Sequence, residues 1–223
     1  MALDFTESNG GAIKSNIEYQ KLTNGDNVFR MVGGILPRYN YWVKTRDGKD
    51  VSIECLGFNR DTEKFDNIKT DWVRKYFPDL KCSWSYCIQV IDPSDPTKIK
   101  VMALKKKMLE QIKEAAKTLG NPTDLDKGYD IHVKRAKTGP LPYNVEYTVQ
   151  QLKLKPAPVS DEVKALIAEA PSIDEQFPVP TPEQQLQFLK DRILAEEGNT
   201  EDEMGEFDDN KDETKDFDDD IPF

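Results

Sequence analysis

Basic and aromatic side chains are interleaved between Arg30 and Tyr143, a mixture that suits a ligand carrying both negative charge and flat rings. Lysine and arginine attract phosphates, whereas aromatic ring faces stack on unpaired bases at roughly 1–3 kcal/mol each. The pattern therefore predicts a surface for single-stranded nucleic acid. Its predicted members are Arg30, Arg38, Tyr39, Tyr41, Lys44, Arg46, Lys81, Trp84, Tyr86, Lys105, Lys106, Lys107, Lys134, Arg135, Lys137 and Tyr143.

The same residues also have simpler interpretations. Large aromatic residues fill protein cores, and we expect about half of these rings to do so, including Phe29, Trp42 and Tyr147. The lysine triplet 105–107 stands at the start of a predicted helix, where positive charge is unfavourable against the helix dipole. That placement predicts either a phosphate partner or a solvated helix end.

The charge is divided unevenly along the chain. The 223 residues carry a net charge of −10, with 31 Lys and Arg against 41 Asp and Glu. Residues 1–158 have a net charge of +6, whereas residues 159–223 have a net charge of −16. A mildly basic body is thus joined to a strongly acidic tail. Taken alone, the tail could serve only solubility.

Several functional classes are disfavoured by what the sequence lacks. A single histidine, His132, argues against catalytic triads and multi-histidine metal sites. Three cysteines at positions 55, 82 and 87 fit a reducing cytoplasm and lack the tight pairs of a structural zinc site. No phosphate-binding glycine loop, hydrolase motif or apolar run of about 20 residues occurs, and no secretory signal precedes residue 12. We therefore expect a protein that is neither an enzyme nor an integral membrane protein and that binds no cofactor and no metal.

Short segments with two-residue alternation predict an antiparallel sheet. The Asp47-Gly48 pair is a strong hairpin signal. Apolar residues three and four apart predict a helix over 105–119 that ends at Gly120, and 72–77 form a shorter candidate helix. Six or seven strands with one inserted helix predict a small barrel or a curled sheet. The predicted strands are 27–32, 39–45, 50–57, 84–91, 99–104, 129–136 and 143–154.

Two short helices are predicted beyond Pro158. Ser160 and Thr181 are expected to cap them, and Gln184 completes a capping-box spacing after Thr181. The proline-rich stretch 171–182 between them is expected to be extended. From residue 198 onward the chain is too acidic and too poor in apolar residues to fold alone, so this tail is predicted to be disordered.

The last eight residues, Asp-Phe-Asp-Asp-Asp-Ile-Pro-Phe, carry the most specific signal. They resemble, letter for letter, the C-terminal tip shared by bacterial single-stranded DNA-binding proteins. Phe223 can enter an apolar pocket while its carboxylate meets a basic side chain, and the aspartates steer towards basic rims. The resemblance implies a protein-binding tip formed by Asp218, Asp219, Asp220, Ile221, Pro222 and Phe223.

The body resembles a different family, the single-stranded DNA-binding (helix-destabilising) proteins of large tailed phages. The resemblance covers about 27–154 and rests on Val-Phe-Arg-Met-Val at 28–32, Trp-Ser-Tyr-Cys-Ile-Gln-Val-Ile-Asp-Pro at 84–93, and the lysine-rich helix that follows. It implies an OB-fold and DNA-binding roles for Arg30, Trp84 and the lysines 105–107. The family's zinc-binding cluster and its basic N-terminal arm are missing here.

These observations predict a mainly β protein, an OB-fold-type antiparallel barrel with an inserted helix, followed by short helices and a disordered acidic tail. The expected parts are an N-terminal segment (1–26), an OB-fold core (27–157), a proline-rich linker with two helices (158–197) and the tail (198–223). We expect sequence-nonspecific binding of single-stranded DNA in phage replication, recombination and repair, in the cytoplasm of a bacterial host, with enzymes such as a helicase, polymerase, primase or exonuclease recruited by the tip. The alternatives are a single-strand annealing or recombination mediator protein and an acidic DNA-mimic inhibitor.

Overall fold

A computed structural model describes residues 17–67, 70–141 and 144–194. No helix within these ranges is both long and apolar enough to cross a membrane. The strands are β1 (Gly25–Lys44), β2 (Asp50–Glu54), β3 (Ser83–Asp92), β4 (Asp95–Leu104), β5 (Asp130–Lys137) and β6 (Val145–Val149). The helices are α1 (Trp72–Tyr76), α2 (Lys106–Leu119), α3 (Asp161–Glu169), α4 (Ile173–Gln176) and α5 (Pro182–Arg192).

Strand β1 corrects the prediction of two separate strands before the hairpin. Residues 27–32 and 39–45 belong to one strand that continues through Gly33 and Gly34. The register against β3 shifts between Val32 and Ile35, which is the mark of a β-bulge. Gly33 has a positive φ of 69°, a conformation that glycine adopts without steric penalty, so the glycine pair bends the strand rather than ending it.

The strand order is β4-β3-β1-β5-β6, and β2 pairs with the far end of β1. All named pairs are antiparallel, and the path is open, with β4 and β6 at its ends. Apart from β2, the sheet has five strands. Along the chain, α2 lies between the third of these, β4, and the fourth, β5. An OB-fold is a five-stranded, partly open barrel. The mainly β prediction is confirmed, and the architecture is consistent with an OB-like fold rather than a fully closed barrel.

The two larger apolar cores both take residues from β1. The first, here called the α2 core, receives Phe29 and Met31 from β1 and lies against α2. The second, the hairpin core, receives Tyr41 and Val43 and also contains residues of β2, α1 and α5. Because helix α2 buries Met108, Leu109, Ile112 and Ala115, its amphipathic pattern places its apolar side on the sheet as predicted.

The last helices are capped as expected but are packed more closely than a linker suggests. Ser160 and Thr181 accept hydrogen bonds from the first turns of α3 and α5. The stretch 171–182 was predicted to be extended, yet Ser172 and Glu175 form a capping box that begins the one-turn helix α4. Ile173 and Phe177 pack on Leu36, Cys87 and Val101. The division of the chain into domains stays a prediction.

Candidate nucleic-acid interface

Aromatic residues from β1 and β3 meet on one face of the sheet. Tyr39 lies directly opposite Trp84, and Tyr86 follows two residues later on the same face. The Trp84 and Tyr86 rings meet edge to face with centroids 4.7 Å apart. Phe58 and Phe65, from the loop after β2, pack on the Tyr39 ring at 4.6 and 4.8 Å. These five residues are called the aromatic strip.

The members of the aromatic strip differ in exposure. Tyr39 and Trp84 are partly exposed, whereas Tyr86 is 6% exposed and belongs to the α2 core. Tyr86 therefore supports the ring of Trp84 from below, and the surface contacts are left to Trp84 and Tyr39. Partly exposed rings held by their neighbours can stack on bases without first being ordered, which favours binding.

Lysines border the aromatic strip. Because Leu104 pairs with Tyr86, the lysines 105–107 follow β4 beside the Trp84 end of β3. All three are exposed. Lys105 is the N-cap of α2 and forms no side-chain cap, and the first turn holds no acidic residue to complement the partial positive charge of the helix N-terminus. The Lys113 ammonium lies 5.8 Å from the centre of the Tyr86 ring. Rings and cations thus share one surface.

One carboxylate also reaches the aromatic strip. The Tyr86 hydroxyl donates a hydrogen bond to Glu63, an exposed residue of the loop after β2. Burial of the phenol and this hydrogen bond raise the pKa of Tyr86 to about 12. Glu63 has a left-handed φ of 52°, an uncommon conformation for a residue other than glycine. The contact fixes the Tyr86 ring under Trp84.

Arg30 and Arg38 hold the protein together instead of lining this surface. Arg30 is 2% exposed, donates to the Asp124 carbonyl at 2.8 Å and lies 3.5 Å from the Asp130 carboxylate. Burial lowers the pKa of Arg30, an effect that Asp130 opposes. Arg38 pairs with Glu54 at 2.6 Å. Neither guanidinium is free for a phosphate, so we remove both from the proposed interface.

Tyr41 is also internal, although it lies on the same face as Tyr39. It is 4% exposed, and its hydroxyl donates to the Asp71 carboxylate at 3.1 Å. Burial raises the pKa of Tyr41, so its proton stays in place. Its ring belongs to the hairpin core and cannot stack on a base.

The remaining predicted cations lie at opposite ends of β1. Lys44, Arg46 and Lys81 are exposed near its C-terminal end. Arg46 also donates to the Asp191 carbonyl, which attaches the hairpin to α5. At the other end, strand β5 carries exposed Lys134 and Lys137 and partly exposed Arg135, which donates to Asn24. Tyr143 lies outside the described residues. Lys134 and Arg135 pair with Asp26 and Gly25 at the start of β1, whereas Lys44 ends the strand, so the two groups lie towards opposite ends of β1.

Two of the three rings that we expect in the core pack there, and the third does not. Phe29 is 0% exposed, and Tyr147 packs against the α2 core. Trp42, in contrast, is 52% exposed, which corrects its assignment to the core. Sequence reasoning also missed Lys113, Phe58 and Phe65. The position of Lys113 seven residues after Lys106, two helical turns along the same side of α2, was the available signal.

The residues present do not fit the zinc site of the phage family. Cys55 and Cys82 belong to the hairpin core, and Cys87 packs with Leu36 on another cluster. His132 lies opposite Val28, towards the other end of β1. Within the part of the chain that the structure describes, no three His, Cys, Asp or Glu side chains converge on a metal-sized site.

The interface thus combines two partly exposed rings, a buried supporting ring and a row of lysines. The predicted tip, 218–223, lies outside the described residues. No model of a known protein family matches the chain. The chain is 33% identical over 241 aligned positions to the "Probable ssDNA-binding protein" of Escherichia phage T5, and the alignment covers 91% of both chains.

Proposed function

The chain belongs to the family of the probable single-stranded DNA-binding protein of phage T5, and from this premise we propose that it binds single-stranded DNA without sequence preference. The observation that carries the proposal is the cross-strand pair of Tyr39 and Trp84 beside the lysines 105–107. Family membership supplies the class of ligand, and this surface supplies a place for it.

The proposed mechanism assigns a separate task to each residue type. The lysines 105–107 and Lys113 attract phosphates and release the counterions condensed on them, which strengthens binding at low salt. Trp84 and Tyr39 stack on successive bases. Stacking and phosphate contacts carry little sequence information, so binding is expected to tolerate any sequence. Duplex DNA hides its base faces and should bind more weakly.

We further propose that the protein coats single strands during phage DNA replication, recombination and repair in the bacterial host cytoplasm. It acts there as a binding protein and not as an enzyme. The tip at 218–223 would recruit partner enzymes such as a helicase, polymerase, primase or exonuclease. The acidic C-terminal segment, with a net charge of −12 over residues 196–223, would compete with DNA for the lysines.

The direct test measures binding of a fluorescent oligo-dT by anisotropy, in parallel with duplex DNA and an RNA of the same length. We expect the oligo-dT to bind most tightly and its affinity to fall steeply with salt. Replacing Trp84 by alanine should weaken binding about 5- to 150-fold, from roughly 1–3 kcal/mol of stacking. Tyr76→Ala, which changes a 40% exposed ring of α1, is the matched control.

The outcomes separate the rival functions. Absence of oligo-dT binding at low salt, even with residues 216–223 removed, would overturn the proposal and favour a DNA mimic. Accelerated pairing of complementary oligonucleotides would instead indicate an annealing protein.

Removal of residues 216–223 tests the role of the tip. We expect the shortened protein to lose capture of host or phage replication enzymes while its affinity for oligo-dT stays equal or rises. A clear loss of oligo-dT affinity would contradict the assigned role of the tip.

A further inference from the structure

Trp42 presents its indole ring on the face of the sheet opposite the aromatic strip. Successive residues of a strand point to opposite faces, so the side chain of Trp42 lies on the opposite face of β1 from those of Tyr39 and Tyr41. It is 52% exposed, the most exposed of the tryptophans in the described ranges. Neither apolar core contains this ring. Among the described residues, membership of an apolar core therefore does not explain its placement.

The ring is nevertheless held in place. The indole N–H donates to the Ser83 hydroxyl at 3.2 Å, and that hydroxyl donates to the Asn40 carbonyl at 3.2 Å. The polar atom of Trp42 is thus satisfied at the sheet surface, while about half of the residue stays exposed. A flat ring that is fixed before binding loses little freedom when a base stacks on it.

Two exposed lysines accompany the ring. Lys44 follows Trp42 by two residues on the same face, and Lys81 precedes Ser83 by two residues. The β1–β3 pairing ends at Asn40 and Ser83, so Lys81 lies just beyond it, on the side towards Trp42. Asp50 is paired with Lys44 across β2 and reduces the charge there, so Lys81 is the better phosphate contact.

Carboxylate repulsion at this position is also limited. Glu54 lies on the same sheet face, but both of its oxygens are bound by arginines, Arg38 at 2.6 Å and Arg60 at 2.9 Å. A neutralised carboxylate repels an approaching phosphate much less than a free one. An anionic ligand that approaches Trp42 therefore meets little repulsion from Glu54.

We propose that Trp42 is a second stacking site for an unpaired base of single-stranded DNA, with Lys81 holding the adjacent phosphate. The inference rests on the proposed function and extends it to the opposite face. Ser83 is hydrogen-bonded to Trp42, and the residue after Ser83 is Trp84 of the aromatic strip. A single DNA strand that passes over the start of β3 therefore reaches both rings. A short oligonucleotide fills the aromatic strip first, and only a longer one also reaches Trp42.

The first experiment compares Trp42→Ala and Trp84→Ala with oligo-dT of about 4 to about 20 nucleotides, a range that brackets the site sizes of OB-folds. We expect Trp84→Ala to weaken binding at every length. Trp42→Ala should leave short oligonucleotides unaffected and weaken the longest about 5- to 150-fold. Trp42→Phe, which keeps an aromatic face, should recover part of the loss, and Tyr76→Ala should match the wild type.

The second experiment does not depend on the alanine variant folding correctly. In a Trp72→Phe/Trp84→Phe protein, excited selectively at the tryptophan absorption edge, the remaining tryptophan fluorescence comes from Trp42. We expect saturating long oligo-dT to quench this emission, whereas an abasic oligonucleotide of equal length should not.

Equal quenching by both ligands, or none by either, would overturn the stacking site. Wild-type affinity of Trp42→Ala at all lengths would do the same and leave the proposed function intact. Failure of the wild-type protein to bind any oligo-dT would instead overturn the proposed function.

Discussion

Two enclosed arginines and an exposed row of lysines occupy different regions of this molecule. Arg30 and Arg38 are enclosed and bound to carboxylates, whereas the lysines 105–107 are exposed around the aromatic strip. The planar guanidinium binds carboxylates through two parallel contacts, which suits it to joining distant segments. The compact ammonium is a mobile point charge and suits a phosphate. At these positions, two residue types with equal charge are suited to different tasks.

The clearest case of the structural task is Glu54, which is 7% exposed and bound by Arg38 and Arg60. Arg60 also donates to the Phe177 carbonyl at 2.8 Å, and Arg38 lies 4.4 Å over the Phe177 ring. This group connects β1, β2 and the segment after α4. Its function is to attach the C-terminal helices to the sheet.

The largest expected effect follows from Glu54→Gln. Two enclosed guanidiniums would lose their counter-charge, so the free energy of unfolding should fall by about 3–5 kcal/mol. Urea denaturation measures this free energy of unfolding. The control is Asp50→Asn, a change at an exposed position of the same strand, which should stay within about 0.5 kcal/mol of the wild type. Equal urea midpoints for Glu54→Gln and the wild type would show that the arginines do not need this carboxylate.

The converse change removes the lysines 105–107 together, by alanine substitution. Three fewer phosphate contacts should reduce the slope of log affinity against log salt by about 2 for a single strand. Stability should rise by about 0.3–1 kcal/mol, because cations at a helix N-terminus are unfavourable. Lys117→Ala, near the other end of α2, is the control. An unchanged salt slope would place the phosphates elsewhere.

Arg38→Lys tests whether geometry or charge matters at the buried site. Lysine keeps the charge but loses the paired contacts to Glu54 at 2.9 and 2.6 Å, so we expect about 1–3 kcal/mol of destabilisation. The salt slope for oligo-dT should not change. Lys107→Arg, the same exchange in reverse at an exposed position, should be neutral in stability. A changed slope in Arg38→Lys would return Arg38 to the interface.

The smallest effect concerns Tyr86 and alkaline pH. Its pKa of about 12 in the folded protein exceeds the value of about 10 expected on unfolding, so folding favours the neutral phenol. This contribution to stability is complete below about pH 10 and is lost as the pH rises towards 12. In Tyr86→Phe, the free energy of unfolding should decline less between pH 9 and pH 11 than in the wild type, as measured by urea denaturation at both pH values. Parallel declines in both proteins would contradict the assignment.

The sequence predicted local structure well because local structure depends on near neighbours. The Asp47-Gly48 turn, the apolar stripe of α2 and the caps at Ser160 and Thr181 all appear as expected. The misjudged segments are also local: Gly33 forms a bulge instead of a strand end, and Ser172 begins a helix within a proline-rich stretch. The strand predicted over 143–154 is too long, because β6 ends at Val149 and residues 151–153 form a short 3-10 helix. At Gly33 and at Ser172, tertiary packing decided which of the locally permitted backbone conformations forms.

The interface was predicted less completely because exposure depends on distant partners. The partner of Arg30 is Asp130, one hundred residues away, and spacing alone does not reveal that pair. The alternation on β3 correctly placed Trp84 and Tyr86 on one face, and the register then brought Tyr39 beside them. Trp42 is expected in the core because large aromatic residues usually fill cores, yet it is 52% exposed.

The unbroken course of β1 has a mechanical consequence. A single hydrogen-bonded ribbon connects the α2 core to the hairpin core, so fraying at either end loosens the support of the other. We expect the amide protons of Phe29 and Tyr41 to exchange with deuterium at similar rates, as members of one cooperative unit. Tension applied along a bound DNA strand would then be shared by the whole sheet instead of opening the hairpin alone.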